Sequence, residues 1–446
     1  MKAKRILSAA LAISMLALSG CGGQSDPSPS QTGSTGGGES LGDNTIKVGA
    51  LFPLSGASSY YGGVQLDGIE FCVDYINNTL GGISSMDGAK IELVVQDTAS
   101  DPETGMSAFE SLVEQDVCAI IGPYNSTVGA ATAPLAIQYG VPYLITNCTS
   151  ENFMSTPNKY VYRTNVGSSD LQVFGHVIFQ YLSEIRPDNP TDKIAVVYDS
   201  GDWGTASLTS WHDLAPQVGC ETVIEEAVSE SSTDLSTVVN KIKASDVDLV
   251  ILSAFSAASN LFVRQMSDYG CEAYIASEGG GVGDIEFIAN CGDAAEGVFY
   301  AAPWLPMYGG GCEEAEALNA QFEETYGYEM TMEPSWGWLA MGTLANALER
   351  AGSADREAVA DALYTTDIVK DDTNPDAGWI TMLSGYDGVH FATEGQEGSV
   401  YSGGVRYNNN DYLGETSGMV LLQVQNGEWV VNYPESYNDG ERTIIY

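Results

Sequence analysis

Basic residues are scarce in this sequence. Only 17 Lys and Arg stand against 60 Asp and Glu, which gives a formal net charge of −43 at pH 7. Such an acidic surface repels phosphate backbones and anionic headgroups, so the composition argues against nucleic acid as a partner and against membrane adhesion by charge. Most of these carboxylates are expected to form a solvated surface that keeps the protein soluble.

Catalytic and metal-binding motifs are also missing. The sequence has three histidines, and it contains neither the GxSxG elbow of serine hydrolases nor the HExxH motif of zinc enzymes. Its eight cysteines are scattered singly, without a CxxC pair or a Cys/His cluster at metal-ligand spacing. We therefore expect no metal, no cofactor and no enzymatic activity. A hydrolase with a carboxylate pair is the alternative class, but 60 acidic residues make any one pair uninformative.

No apolar run reaches the roughly 20 residues that a membrane-spanning helix needs. Residues 6–18 form an apolar run of 13 residues after a short basic region, which is typical of a signal peptide over residues 1–20. The stretch LSGC (18–21) resembles a bacterial lipobox, so we expect the Cys21 thiol to carry a lipid anchor. A plain secretory signal followed by a chance cysteine is the alternative. Residues 21–44 are rich in Gly, Ser, Pro and Thr, which predicts a disordered linker.

Strand and helix patterns alternate along the rest of the chain. Runs rich in β-branched and apolar residues, each followed by a helical pattern, predict parallel, doubly wound sheets. A first series of strands is predicted over 45–52, 90–97, 117–121 and 141–146, and a second over 193–198, 248–252 and 273–276. Two such α/β halves, placed face to face, would form a cleft lined by loops at the carboxyl ends of their strands.

Five segments, taken in order, resemble one known family. They are VGALFPLSGASSYYG (48–62), KIELVVQDTASDPETG (90–105), IIGPYNSTVGAATAPLAIQYGVPYL (120–144), YVYRT (160–164) and GDAAEGVFY (292–300). Together they are similar to the branched-chain amino acid-binding proteins of bacterial ABC transporters, over about residues 46–434. The resemblance implies a type I periplasmic-binding fold, a Venus-flytrap architecture in which two doubly wound parallel-sheet lobes close around a small solute.

The resemblance also implies three hinge crossovers, near Val166, Ala301 and Leu413. Lobe 1 would then contain residues 45–166 and 301–412, and lobe 2 residues 167–300 and 413–446. Composition alone suggests a simple tandem division of the chain. The interleaved boundaries therefore come from the family and not from the pattern of residues.

The family's carboxylate-binding positions fall on two loops of lobe 1. Asn125 and Ser126 match the turn that opens the third helix, where free N–H groups and the positive end of the helix dipole suit a carboxylate. Cys148 matches a backbone contact, and Ser150 matches a hydroxyl contact, in the loop after the fourth strand. Asn147 and Cys148 depart from the usual small residues of that loop. An ordinary helix cap and an ordinary polar loop are the alternatives.

Three further positions follow strands of lobe 2. Glu278 matches the acidic residue that accepts the ligand ammonium through charge-assisted hydrogen bonds, and a solvated loop carboxylate is the alternative. Trp203 and Phe255 match tyrosine positions that cover the ligand, although both lack the tyrosine hydroxyl. On lobe 1, the ligand side chain is expected to meet three tyrosines, which could equally be plain core: Tyr60, Tyr61 and Tyr124.

These residues imply a binding cycle without chemistry. The carboxylate of an amino acid docks on lobe 1, lobe 2 closes and adds the ammonium contacts, and a membrane permease receives the solute. We therefore expect a monomeric, extracytoplasmic, lipid-anchored binding protein of an ABC importer, specific for a branched-chain or other apolar amino acid. Urea, short amides and aromatic acids are alternative ligands, and a ligand-sensing ectodomain is an alternative role, because fold does not fix function.

Overall fold

The computed structural model describes residues 44–150, 153, 158–164, 172–188, 190–302, 313–369, 375–384, 388–391 and 420–433. All of them belong to one compact unit, Gly42–Tyr446. The predicted signal peptide, Cys21 and nearly all of the predicted linker lie outside the described residues. The predicted crossovers near Val166 and Leu413 also lie outside them, so the lobe boundaries stay a prediction.

The first sheet has five parallel strands in the order β2-β1-β3-β4-β5. Its strands are β1 (Thr45–Phe52), β2 (Lys90–Asp97), β3 (Ala119–Ile121), β4 (Tyr143–Ile145) and β5 (Val161–Arg163). Three helices alternate with them: α1 (Ser59–Asp74), α2 (Pro102–Glu114) and α3 (Ser126–Tyr139). Successive side chains of β1 are buried on opposite faces, since Val48 and Ala50 pack on the side of α1, whereas Leu51 packs with α2 and α3.

The second sheet has seven strands in the order β14-β13-β10-β9-β8-β6-β7. Its strands are β6 (Lys193–Asp199), β7 (Glu221–Val228), β8 (Leu249–Ser253), β9 (Tyr274–Ser277), β10 (Phe299–Ala302), β13 (Val420–Gln425) and β14 (Glu428–Tyr433). Strand β13 runs antiparallel to both β10 and β14, and the remaining pairs are parallel. Five helices accompany this sheet: α4 (Gln172–Ile185), α5 (Asp202–Gln217), α6 (Ser236–Lys243), α7 (Ser256–Asp268) and α8 (Phe287–Cys291).

A late helical segment packs against α1 of the first sheet. It contains α9 (Glu313–Tyr326), α10 (Met332–Ala351), α11 (Arg356–Tyr364), α12 (Pro375–Thr381) and a small antiparallel pair, β11 (Asp367–Val369) with β12 (Gly388–His390). Helix α10 approaches α1 very closely through two glycines. A Cβ at Gly68 would lie 1.9 Å from the Pro334 carbonyl oxygen, and one at Gly337 would lie 2.3 Å from that of Gln65. The absence of these side chains therefore fixes where α10 begins relative to α1.

The parallel parts of both sheets share one strand order. In the first sheet β1 lies between β2 and β3, and in the second sheet β6 lies between β7 and β8. The chain thus leaves β1 and β3 in opposite directions, as it does β6 and β8, which opens a crevice beyond the carboxyl ends of these strands. Such switch points are where open α/β sheets bind their ligands.

The thiols of the described residues are all free. They are Cys72, Cys118, Cys148, Cys220, Cys271 and Cys291. None of the described helices combines the length and the apolar character needed to cross a membrane.

Candidate functional site

The loops at the two switch points meet each other. Tyr61, at the start of α1, places its Oη 2.7 Å from the Ser256 Oγ at the start of α7. The backbone N–H of Ile285 donates to the Tyr60 Oη at 3.2 Å. These contacts join α1 of the first half to the start of α7 and to the loop before α8, so the two halves meet at this point.

An aromatic cluster occupies this junction. The rings of Tyr61 and Tyr124 are stacked, with centroids 4.8 Å apart and an interplanar angle of 4°. Phe255, from the other half, lies 6.3 Å from Tyr61 and 6.1 Å from Tyr124, and Trp203 lies 4.8 Å from Phe255. Tyr60 packs edge-on to Tyr61 at 5.1 Å. The structure therefore brings together all five aromatic residues that the sequence nominated from four separate loops.

The start of α3 carries polar groups without partners. Asn125 occupies the N-cap position, but its side chain makes no capping bond; its Nδ2 donates instead to the Ser58 Oγ at 2.8 Å. Within the described part of the chain, three buried oxygens here have no hydrogen-bond partner: Asn125 Oδ1, Thr149 Oγ1 and Ser150 Oγ. A buried polar atom left unsatisfied costs about 1–3 kcal/mol. Such a group in a folded protein calls for an explanation, and a bound ligand is one.

The loop 148–150 is held in place from behind by a buried cation. Arg163 is 4 % exposed, and its Nη1 donates to the carbonyl oxygens of Cys148, Thr149 and Ser150 at 3.1–3.3 Å. The Ser150 N–H in turn donates to the Ser126 Oγ at 3.4 Å. The guanidinium charge and the first N–H groups of α3 both favour an anion at this position.

Cys148 contributes packing and backbone, as its side chain is fully buried. Its Sγ donates to the Asn125 carbonyl oxygen at 3.1 Å, and a Cβ at Gly129 would lie only 2.8 Å from that sulfur. Burial raises the pKa of this thiol well above its usual value, with the Arg163 charge opposing the shift. The thiol therefore stays neutral and fills the space between the loop and α3.

Glu278 lies inside the second half, 3 % exposed. Its Oε1 accepts from the Ser253 Oγ at 2.7 Å and from the Ser207 hydroxyl, and its Oε2 accepts from the Trp211 Nε1 at 2.9 Å. Burial raises the pKa of this carboxyl, and these three donors oppose the shift. A carboxylate offers about four acceptor positions, so about one remains for a further donor.

The position of Glu278 relative to the aromatic cluster follows from α5. Trp203, Ser207 and Trp211 recur every four residues on one face of that helix, so Glu278 meets the face whose first residue is Trp203. The chain after Glu278 also packs on this indole, because a Cβ at Gly280 would lie 2.6 Å from the Trp203 Cη2. Among the described residues, the hydrogen bonds of Glu278 all lie within the second half.

One buried acid at the junction was not predicted. Glu333, in the first turn of α10, is 4 % exposed. Burial raises its pKa to about 7, with Asp284 adding to the shift. An acid and a proline in the first turn are ordinary features of a helix start, so the sequence gives no functional signal there. The other residues in the first two turns of α10 are mostly apolar, and the structure buries them, so an acid stands out among them.

Comparison with known proteins agrees with this geometry. The model of the periplasmic binding protein family matches residues 45–383. The "Leucine-, isoleucine-, valine-, threonine-, and alanine-binding protein" of Pseudomonas aeruginosa is 26 % identical over 330 residues, which cover 73 % of this chain and 83 % of that protein.

Solved structures show the same fold. The branched-chain amino acid transporter substrate-binding protein LivJ of Streptococcus pneumoniae, in complex with isoleucine, superposes with a TM-score of 0.70 at 21 % identity, covering 86 % of this chain and 97 % of that one. A solute-binding protein of an ABC transporter from R. palustris, in complex with benzoate, gives a TM-score of 0.69 at 16 % identity, covering 87 % and 95 %. The fold is therefore the predicted type I periplasmic-binding fold. The chain belongs to the periplasmic binding protein family, and it is similar to members of that family named for leucine, isoleucine and valine.

Proposed function

We propose that this chain is an extracytoplasmic, lipid-anchored binding protein that holds an amino acid between its two halves and delivers it to the permease of an ABC importer. One observation carries the proposal: unsatisfied buried oxygens surround the uncapped start of α3, beside an aromatic cluster built from both halves. A zwitterion needs such a combination of anion-binding N–H groups and enclosing walls.

Each nominated residue receives a role in this proposal. The ligand carboxylate binds at the start of α3, near Asn125 and Ser126, with the Ser150 hydroxyl and the Cys148 backbone beside it. The free acceptor position of Glu278 takes the ammonium. Five aromatic residues cover the side chain: Tyr60, Tyr61, Tyr124, Trp203 and Phe255. Only the closed form makes both sets of contacts, so the ligand shifts the protein toward closure.

Three observations bear on which side chain the ligand carries. The curated relatives are named for leucine, isoleucine and valine, which favours a branched-chain or other apolar side chain. The stacked rings of Tyr61 and Tyr124 favour a second candidate, an aromatic carboxylic acid, since a structural neighbour was solved with benzoate. The buried carboxyl of Glu333 departs from an apolar lining and bears on which side chain the ligand carries.

Isothermal titration of the full chain in detergent tests the proposal. We expect an amino acid to bind, and Ser150→Ala to weaken binding about 10- to 100-fold, because a hydrogen bond to a charged group contributes about 1.5–3 kcal/mol. Ser107→Ala is the matched control, since this exposed hydroxyl donates only to the Glu103 carbonyl within α2. Binding of benzoate without any amino acid would favour the second candidate. Binding of neither, or wild-type affinity in Ser150→Ala, would contradict the assigned site.

A further inference from the structure

We infer, on the basis of the function proposed above, that Glu333 selects a ligand whose side chain ends in a positive charge, such as the ammonium of a basic amino acid. The relatives' names do not suggest this class.

Glu333 lies at the start of α10, where its neighbour Met332 accepts from the Tyr300 Oη of β10 at 3.9 Å. It belongs to α10, whose start is fixed against α1 by the close contact between Gly68 and Pro334. After burial itself, its negative charge is the strongest influence that raises the pKa of Tyr60, Tyr124 and Tyr300. The residues on both sides of Glu333 thus contact α1 of the first half and β10 of the second sheet, which places the start of α10 where the two halves meet.

The other acids nearby already have donors. Glu230 caps α7 by accepting from the N–H groups of Ala257 and Ala258 at 2.8 and 3.3 Å. Asp284 accepts from the Ser256 Oγ at 3.0 Å and from the Glu286 N–H at 2.9 Å. These contacts account for both carboxylates without a ligand.

The carboxylate of Glu333 is different, because only its own N–H and the hydroxyl of a residue two positions earlier stabilise its charged form. Its own N–H and the Thr331 hydroxyl favour its charged form slightly, and no ion pair joins it to a basic side chain of the described residues. A carboxylate that is 96 % buried without a counter-charge is costly, and the protein either neutralises it or supplies a cation. A ligand ammonium would be that cation.

The junction also offers groups that suit the rest of such a ligand. The Tyr124 hydroxyl, a second acceptor, makes no hydrogen bond to another described residue. After burial, the charge of Glu333 has the largest effect on the pKa of this hydroxyl. The rings of Tyr61, Tyr124 and Phe255 give an apolar wall for a methylene stem, which long basic side chains bury while their charged ends find polar partners. The ligand would thus place its carboxylate at α3 and its distal charge at α10.

Titration of the full chain in detergent with L-lysine and L-norleucine tests this directly. The two ligands share their backbone and stem, and only lysine carries the distal ammonium. We expect the wild type to bind lysine at least about tenfold more tightly than norleucine, since the ammonium pairs with a desolvated carboxylate. In Glu333→Gln, lysine should lose about tenfold or more while norleucine is unchanged or improved.

Glu286→Gln is the matched control, because it removes one negative charge from an exposed residue near Tyr60. It should change both affinities less than about threefold, as screened surface charges contribute little. Norleucine or leucine binding as tightly as lysine in the wild type would overturn this inference and leave the amino-acid function standing. So would a lysine preference that survives in Glu333→Gln. Failure of every amino acid to bind would contradict both this inference and the proposed amino-acid function.

Discussion

Two buried carboxylates at the junction have different surroundings. Glu278 accepts from three side chains of its own half, whereas Glu333 has no counter-charge among the described residues. Burial raises the pKa of both carboxyls, and it raises that of Glu333 to about 7. The protonation of Glu333 therefore changes across the physiological range, and the charge of Asp284 adds to its shift. The hydroxyls of Tyr60, Tyr124 and Tyr300 stay protonated in this range, because burial and the Glu333 charge raise their pKa.

Glu333 should make the ligand-free protein less stable as the pH rises. Its folded pKa is raised from 4.5 to about 7, so the folded state holds the proton more tightly than the unfolded state. Its contribution is fully present below pH 4.5 and is lost as the pH rises through about 7. Relative to Glu333→Gln, the wild type should lose up to about 3 kcal/mol over this window. Urea unfolding at a series of pH values measures the difference.

The Glu278 titration affects both proteins alike and cancels in this comparison. Glu286→Gln again serves as the control, and its stability should follow the wild type at every pH. A constant difference between the wild type and Glu333→Gln from pH 5 to 8 would mean that Glu333 is solvated in the ligand-free protein, contrary to its 4 % exposure.

Single residues could be predicted from the sequence only where a local pattern marks them. The tyrosines and Ser126 follow strands, so their position at a sheet edge could be foreseen. The partners of Glu278 could not, because Ser207 and Trp211 lie on a helix some 70 residues earlier. Glu333 was missed for the same reason: its environment is made by α1 and by loops of both halves, and its own sequence shows only a helix start.

At the scale of the elements, the approach of α10 to α1 depends on missing side chains. Gly68→Ala should destabilise the protein by about 1–3 kcal/mol, because its Cβ would lie 1.9 Å from a backbone oxygen and one helix must move. Gly63→Ala, five residues earlier on α1, has nothing within 4 Å of its Cβ and should stabilise by about 0.5–1 kcal/mol. Thermal or urea unfolding of the two variants measures both changes in the free energy of unfolding.

Equal effects of these two substitutions would show that α10 is not held against α1 at this point. A destabilised Gly68→Ala should also bind ligand less well, since Pro334 is the neighbour of Glu333. Gly63→Ala should bind as the wild type does.

Elements with a clear pattern were predicted nearly as they occur. β1 and β2 have the predicted bounds. Strand β7 was not predicted, because ETVIEEAV carries three glutamates; as an edge strand it exposes alternate residues, which tolerates them. Strand β5 was not predicted either, since three residues are too few for a recognisable period.

At the scale of the whole molecule, hydrogen bonds from the start of α1 connect the two halves. The bond between Tyr61 Oη and Ser256 Oγ crosses the junction at 2.7 Å. Tyr61→Phe should favour the open form and weaken ligand binding about 2- to 10-fold, because one hydrogen bond contributes about 0.5–1.5 kcal/mol. Calorimetry measures the affinity, and small-angle scattering measures the radius of gyration with and without ligand.

Tyr139→Phe is the control, because its hydroxyl donates to Glu110 between α3 and α2 of the same half. It should change neither quantity. Ser256→Ala should reproduce the effect of Tyr61→Phe, and the double variant should add little to either. Strictly additive losses would show that the two side chains act separately.

The division into two α/β halves could be foreseen from the repeated pattern, but the long-range pairing could not. Strand β10 pairs with β13, whose residues follow some 120 positions later, and nothing in a local period indicates that partner. The same holds for α10, which packs on α1 from the far end of the chain.

Strand β13 and helix α10, which both come late in the chain, also determine when the protein can fold. The edge of β10 has no neighbour on its outer side until Val420–Gln425 has been synthesised, and α1 lacks its covering helix until Met332–Ala351 has been made. Neither half can finish folding from its own stretch of chain, and such distant contacts slow folding. The nascent chain therefore stays incomplete until its last strands emerge, a state that suits a polypeptide kept unfolded for export.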